Sequence, residues 1–432
     1  MENKYSNNQK TIYQIFPRNH TKEGTFKAII KDLDRIKDLG VDIIYLLPIH
    51  TIGIEGRKGT YGSPYAVRDY YSISEDLGTL ADFIELINEI HKRDMIIIMD
   101  MVFNHTAIDS VLTLNHDEYY DHDDNHNHFN KAGGWLDVID LNTHKKEVEN
   151  YLVDVCKYWV NIGVDGFRFD VASFVNINVF KRLRKEIKKE LFLLAESVHL
   201  EFGQYMRDKG YYSFLDEELH PLFDSSYSYN TIVPFEEYLY DKTNTLLPYK
   251  QRLLEQEVYM PKGFNKLTCI ENHDMNRVAS ISKNKMQHVN LITYSFINKG
   301  CNFIYAGEEY GISHKPELFE KDPLVINDDY DKDIYKLIKK LISLKHMDYF
   351  KEYLNFTYIA TNEHTIGFKF NDINNNELLC LFNLSSLKQD IEINENGKYI
   401  DLLTGKEVII NKSLKLDYPL VLLKAYEKEK NN

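Results

Sequence analysis

Short apolar runs alternate with segments of helical spacing from Thr11 to about Lys345. The runs at residues 11–16, 41–48, 95–102, 164–171, 191–197, 222–229, 266–274 and 302–311 read as strands. Between the first two, Phe26, Ile29, Ile30, Leu33 and Ile36 share one face of a helix over residues 26–39. Residues 80–91, 148–162, 180–187 and 290–297 carry the same period. Eight strands alternating with helices predict an α/β fold, a (β/α)8 TIM barrel. A doubly wound open sheet is the alternative, but no G-x-G-x-x-G follows the first strand. Residues 105–141 form a polar insertion after the third strand, rich in His, Asp and Asn and too long for a plain βα loop. After Lys345 the runs shorten, at 354–360, 365–370, 378–384, 389–393 and 420–423, with N-G and T-G turns between them. That pattern predicts a C-terminal antiparallel β-sandwich. The expected domains are 1–345, a barrel with its 105–141 insertion subdomain, and 346–432, the β domain.

Composition narrows the classes. A chain of 432 residues has a prior of about three domains and can bury a core without disulfide or metal staples. With 43% hydrophobic and 27% charged residues, wholesale disorder is excluded. The net charge of −14 argues against nucleic acid or an anionic membrane as partner. The one basic stretch, residues 181–189, reads as a solvated helix face. No run of about 18 apolar residues is present, so no membrane span is expected. The first ten residues are polar and lack the apolar region of a signal peptide, so a cytoplasmic location is expected. Cys156, Cys269, Cys301 and Cys380 form no CxxC pair and are expected as reduced, buried thiols. The 31 tyrosines suit either carbohydrate stacking or ordinary core packing. Nothing in the pattern sets an oligomeric state.

Catalytic residues of such barrels come from the C-terminal ends of strands. Here the third strand ends in Asp100, Asn104 and His105, and the fourth in Arg168 and Asp170. The fifth ends in Glu196, and the seventh in Glu271, Asn272, His273 and Asp274. A lone Asp in such a place is usually a turn or cap residue. Apolar runs leading straight into several acids at one mouth are a different matter. Converging carboxylates are what glycoside cleavage needs: one to attack the anomeric carbon, one to protonate the leaving oxygen.

At these positions the sequence resembles the α-amylase superfamily, glycoside hydrolase family 13. Asp100-Met-Val-Phe-Asn-His105, Gly166-Phe-Arg-Phe-Asp170, Ala195-Glu196-Ser197 and Glu271-Asn-His-Asp274 resemble the family's four motifs in order. Gly62-Ser-Pro-Tyr65 resembles the segment that supplies a sugar-stacking tyrosine. The resemblance implies retaining hydrolysis of α-1,4-glucosidic bonds in maltodextrins or other α-glucans. By the same resemblance Asp170 is the nucleophile, Glu196 the general acid/base and Asp274 the third carboxylate. Arg168 is expected to hold Asp170 ionised, with Asp100 orienting its neighbours. Tyr65, His105 and His273 are expected to bind one glucosyl unit, and His199 with Phe202 to line the acceptor side. Retention implies that the Asp170 and Glu196 carboxyls lie about 5–5.5 Å apart.

The second motif continues Val171-Ala-Ser-Phe174 where relatives often carry Lys-His. Asn104 and Asp140 resemble two residues of a calcium shell, so calcium is the one metal raised, and no cofactor is otherwise required. An Asp/Asn-rich calcium loop after the first strand is absent. The run Asp121-His-Asp-Asp-Asn-His-Asn-His128 reads as a solvated loop, with a cleft wall as the next reading. Val138-Ile-Asp-Leu-Asn142 falls where relatives carry a specificity motif. Its D-L-N ending leans towards enzymes that also accept α-1,6 links. Rival readings are an α-1,6-glucosidase or neopullulanase-like hydrolase, a 4-α-glucanotransferase, and a non-catalytic sugar-binding barrel.

Overall fold

A computed structural model describes residues 6–326, 330–351 and 355–425. Eight parallel strands form its main sheet: β1 Thr11–Ile15, β2 Ile43–Leu46, β3 Ile96–Met101, β4 Gly166–Phe169, β5 Phe192–Ala195, β6 Ser225–Tyr227, β7 Lys266–Leu267 and β8 Asn302–Tyr305. From β1 to β7 each strand pairs with the next in sequence, and β8 pairs with β1. The ring is therefore a (β/α)8 barrel with one seam, between β7 and β8, where no ladder forms among the described residues. The Asn265 side chain bridges that seam by accepting the Cys301 amide at 3.0 Å. All eight strands lie within the runs read from hydropathy.

The period of two along each strand decides what faces inward. Ile12, Tyr45, Ile98, Leu194 and Tyr227 fill the barrel interior, while Tyr13, Ile44, Met99 and Leu193 pack outward against the helices. Asp100 and Arg168 belong to the inward series and are register partners. Gly166 lies at the start of β4, where a Cβ would come within 1.9 Å of the Phe192 carbonyl oxygen, so only glycine lets β4 and β5 approach. The helix expected over 26–39 is two pieces, Phe26–Ile30 and Leu33–Leu39. The break falls at Asp32, whose carboxylate accepts Arg35 Nε and His20 Nε2 at 2.6 and 2.9 Å in competition with a continuous helix.

The insertion is anchored by a two-strand pair, His105–Ala107 with Val138–Asp140. After the helix Lys332–Lys345 the chain enters a six-stranded antiparallel sheet: β9 Asn355–Ile359, β10 Thr365–Asn371, β11 Glu377–Asn383, β12 Gln389–Asp401, β13 Glu407–Leu416 and β14 Leu420–Lys424, in the order β9-β10-β11-β14-β12-β13. The first residue of the 354–360 run lies outside the described residues. One apolar face, with Ile366, Phe368 and Phe382, joins the barrel's outer core. On the other, Leu379 and Leu381 form a second apolar cluster with Ile391, Ile410 and Leu416 of the β12–β13 hairpin. An irregularity between Glu392 and Asn396 gives the hairpin its bend. β13 escaped the hydropathy reading because most of its residues are polar or exposed.

Candidate active site

Arg168 is the centre of the barrel mouth, fully buried on β4. Its Nη1 donates to Asp100 Oδ1 at 2.7 Å and to Asp170 Oδ1 at 2.9 Å. Its Nη2 lies 2.9 Å from Glu196 Oε2 as an ion pair. One guanidinium thus gathers the acids of three strand ends. The turn after Asp170 contributes a further contact. Val171 sits at φ 34°, a left-handed conformation costly for a β-branched residue, and its amide donates to Glu196 Oε2 at 2.8 Å. Strain is held where the backbone must aim an N–H at the fifth-strand acid.

A second chain of contacts starts on β1. Gln14 Nε2 lies 3.1 Å from His273 Nδ1, so Gln14 donates and leaves the proton of His273 on Nε2. That nitrogen is 2.6 Å from the Tyr65 hydroxyl and 3.1 Å from Asp274 Oδ2. Tyr65 donates onward to Asp100 Oδ2 at 3.0 Å, joined there by Tyr45 at 2.7 Å. The Tyr65 and His273 rings are stacked, 5.4 Å between centroids.

The electrostatics follow from one cation among several carboxyls. Burial raises Asp100 to about 6 against the pull of Arg168. Burial, then the charge of Glu196, push Asp170 well above the ordinary carboxylate range, and Arg168 offsets only part of this. The ion pair expected from sequence is present, and it favours the ionised form of Asp170 against the effect of burial. Burial keeps His105 and His273 neutral, lowering them to about 4 and about 3. Neutral imidazoles are suited to uncharged hydroxyls. Tyr65, His105, Trp135, Asp170, Glu196 and His273 line one cavity of about 330 Å³, with Asp274 at its edge.

The alpha-amylase catalytic-domain model matches residues 4–129 and 112–339. The chain belongs to the α-amylase family. It is 26% identical over 412 residues to an intracellular maltogenic amylase of Bacillus subtilis, covering 88% of this chain and 66% of that protein. It spans about two thirds of the length of the curated relatives it matches. An α-amylase from Lactobacillus plantarum superposes with TM-score 0.90 at 34% identity, covering 97% of this chain and 99% of that one. A maltogenic α-amylase from Thermotoga neapolitana gives 0.85 at 29%, covering 99% and 100%.

Seen as an α-amylase-family site, most of the residues singled out in the sequence come together. Asp170, Glu196, Asp274, Tyr65, His105 and His273 share the cavity, and Asp100 and Arg168 lie beneath it. His199 does not reach that cavity. It caps the helix Leu200–Asp208 and borders an adjoining one of about 430 Å³ with Tyr229, Glu236 and Asp274. Asp274 is common to both. Phe202 lies beside His199, ring centroids 5.9 Å apart. Glu271 points away from the mouth, buried, and accepts Arg277 Nη1 at 2.6 Å.

Asn104 and Asp140 are adjacent, but they do not fit calcium. Asn104 turns its amide N–H towards Asp140 Oδ1 at 3.2 Å, and the Lys131 amide donates to Asp140 Oδ2 at 2.9 Å. The Lys131 ammonium sits 2.5 Å from Asp121 Oδ2 and 4.0 Å from Asp140 Oδ2. A calcium shell needs six to eight oxygens; here a lysine supplies the positive charge.

Four contributors were not singled out in the sequence. Gln14 had one signal, a polar residue inside a fully buried strand. Trp135, Lys58 and Phe319 had none, because they come from loops far apart in sequence. Lys58 reaches Asp137 of the insertion at 2.7 Å and lies over the Phe319 ring, so these residues wall one side of the cavity.

Proposed function

We propose that the protein is a retaining glycoside hydrolase that cleaves α-1,4-glucosidic bonds of maltodextrins through a covalent glycosyl-enzyme. The observation that carries this reading is Arg168 holding Asp170 and Glu196 on its two terminal nitrogens at the floor of a cavity walled by aromatic rings. Two acids on one guanidinium are in keeping with the short separation of retaining enzymes, about 5–5.5 Å, rather than the longer one of inverting enzymes.

Asp170 attacks the anomeric carbon while Glu196 gives its proton to the glycosidic oxygen, and the leaving sugar departs with that proton. Glu196, now a carboxylate, takes a proton from water, which attacks the same carbon and releases Asp170. Asp274, with His105 and His273, binds hydroxyls of the distorted sugar, and Tyr65 and Trp135 meet its apolar faces. The adjoining cavity beside His199 receives the acceptor side. An intracellular location is part of this reading, supported by the names of the Bacillus subtilis relatives. Among the described residues no helix is long and apolar enough to cross a membrane.

The second reading is an α-1,6-glucosidase or neopullulanase-like hydrolase; a relative named neopullulanase 2, from Thermoactinomyces vulgaris, is 26% identical over 349 residues. Hydrolysis of maltoheptaose followed by NMR tests the first: the α-anomer should appear before mutarotation, and Asp170→Asn should abolish turnover with an unchanged melting temperature. A β-anomer as first product, or full activity in Asp170→Asn, overturns it. Panose and pullulan as substrates separate the α-1,6 reading, and sugar-to-sugar transfer would reveal a glucanotransferase.

A further inference from the structure

The insertion carries a cluster that the catalytic reading leaves unused. Asp117 sits on a short turn, Asp117–Tyr119, and His122 and His128 face each other as a bridge across a tight hairpin. The hairpin turn is fixed by Asp123, whose Oδ1 accepts the Asn125 and Asn127 amides, both at 2.8 Å. Both imidazoles aim Nε2 at the same carboxylate. His128 lies 2.7 Å from Asp117 Oδ1 and His122 3.2 Å from Asp117 Oδ2, with the rings 4.6 Å apart. The three ligand atoms fall within 4.8 Å of one another.

We propose that Asp117, His122 and His128 bind a divalent cation of the zinc class. The donor set decides the class. Two imidazole nitrogens and one carboxylate oxygen suit Zn²⁺ and its borderline neighbours, whereas Ca²⁺ and Mg²⁺ take mostly oxygen. The dimensions agree as well. Tetrahedral bonds of about 2.0–2.1 Å require ligand atoms roughly 3.3 Å apart. The two imidazoles lie 3.2 and 2.7 Å from the two oxygens of one carboxylate, and one ligand atom from each residue falls within 4.8 Å of the others, so side-chain shifts of an ångström or so reach that spacing. On binding, each ring carries its proton on Nδ1 and turns the Nε2 lone pair to the ion, and water fills the fourth position. His122 also borders a surface cleft of about 360 Å³, which gives the ion a path in. The donors come from two segments of the insertion, so the ion would tie the turn to the hairpin. None of the three ligands belongs to the Asn104–Asp140 pair or lines the catalytic cavity.

The test uses the full chain stripped with chelator and titrated with Zn²⁺, with Co²⁺ as a spectroscopic probe. One equivalent should bind, raise the melting temperature and give the visible absorption of tetrahedral Co²⁺. His122→Ala and His128→Ala should each weaken Zn²⁺ binding by more than about tenfold and remove the thermal shift. Asp117→Asn, which keeps the side-chain shape, should weaken it as well, and His116→Ala should leave it unchanged. No binding of Zn²⁺ by the parent protein, or undiminished affinity in the His122/His128 double variant, overturns the proposal. Equal affinity for Ca²⁺ overturns the assigned class.

Discussion

Asp100 is the residue on which the site's geometry converges. It accepts from Arg168, Tyr45 and Tyr65 and lies beneath the cavity without lining it. Its charge positions the guanidinium that in turn holds Asp170 and Glu196. Asp100→Asn keeps the shape and removes the charge, leaving buried Arg168 undercompensated. Breaking such a pair costs about 3–5 kcal/mol. The expected outcome is a melting temperature several degrees lower and a loss of kcat of about 100-fold or more, with KM changed less. Stopped assays on maltoheptaose and denaturant titration check both. The motif residues were legible one by one in the sequence because the chemistry needs those side-chain types. That Arg168 serves three acids was not legible, because it depends on three strand ends meeting.

Among the elements, loops rather than strands wall one side of the cavity. Lys58 stands on the long connection after β2 and Asp137 on the insertion, and their 2.7 Å contact joins the two across one side. Asp137 is buried, so the pair is more than a surface contact. Lys58→Ala is expected to open that side and raise kcat/KM on long α-glucans several-fold relative to maltotriose. Product chromatography on amylose and maltotriose checks it, and an unchanged ratio would exclude a role in chain length. The strands themselves were legible because an alternating inward and outward series leaves a period in the sequence. The loop contacts were not, since Trp135, Lys58 and Phe319 meet only through the fold. The split of the first helix at Asp32 was missed for the same reason: its partners His20 and Arg35 act in three dimensions.

For the whole molecule, buried histidines set how stability depends on pH. His50 is packed near Tyr70 and Trp159 and lowered by burial from 6.5 to about 4. The unfolded chain takes a proton there below about pH 6.5, while the folded chain does not until about 4. Stability from this group is therefore full above 6.5 and is lost as pH falls towards 4. His105, His220 and His273 act in the same direction. Asp42, Asp100 and Asp140, raised by burial to about 6, oppose them, since their folded forms gain protons first. The clean measurement is a difference. Relative to the parent, His50→Gln should gain about 1.4 kcal/mol per pH unit between 6.5 and 4, read by urea unfolding. A constant difference would show that His50 does not titrate in that window.

The sequence by itself determined the barrel, the order of its strands and the acids at their ends. A strand's period of two is local, so a motif on a strand also states which way its side chains face. The tertiary structure decided what those side chains share. It placed one guanidinium among three acids, set the Lys131 ammonium between Asp121 and Asp140, beside the Asn104 side chain, and turned Glu271 towards Arg277. It also brought Asp117, His122 and His128 together out of what reads as a merely polar loop. These outcomes depend on burial and on charges brought close by distant segments, and neither quantity is carried by a residue's position in the chain.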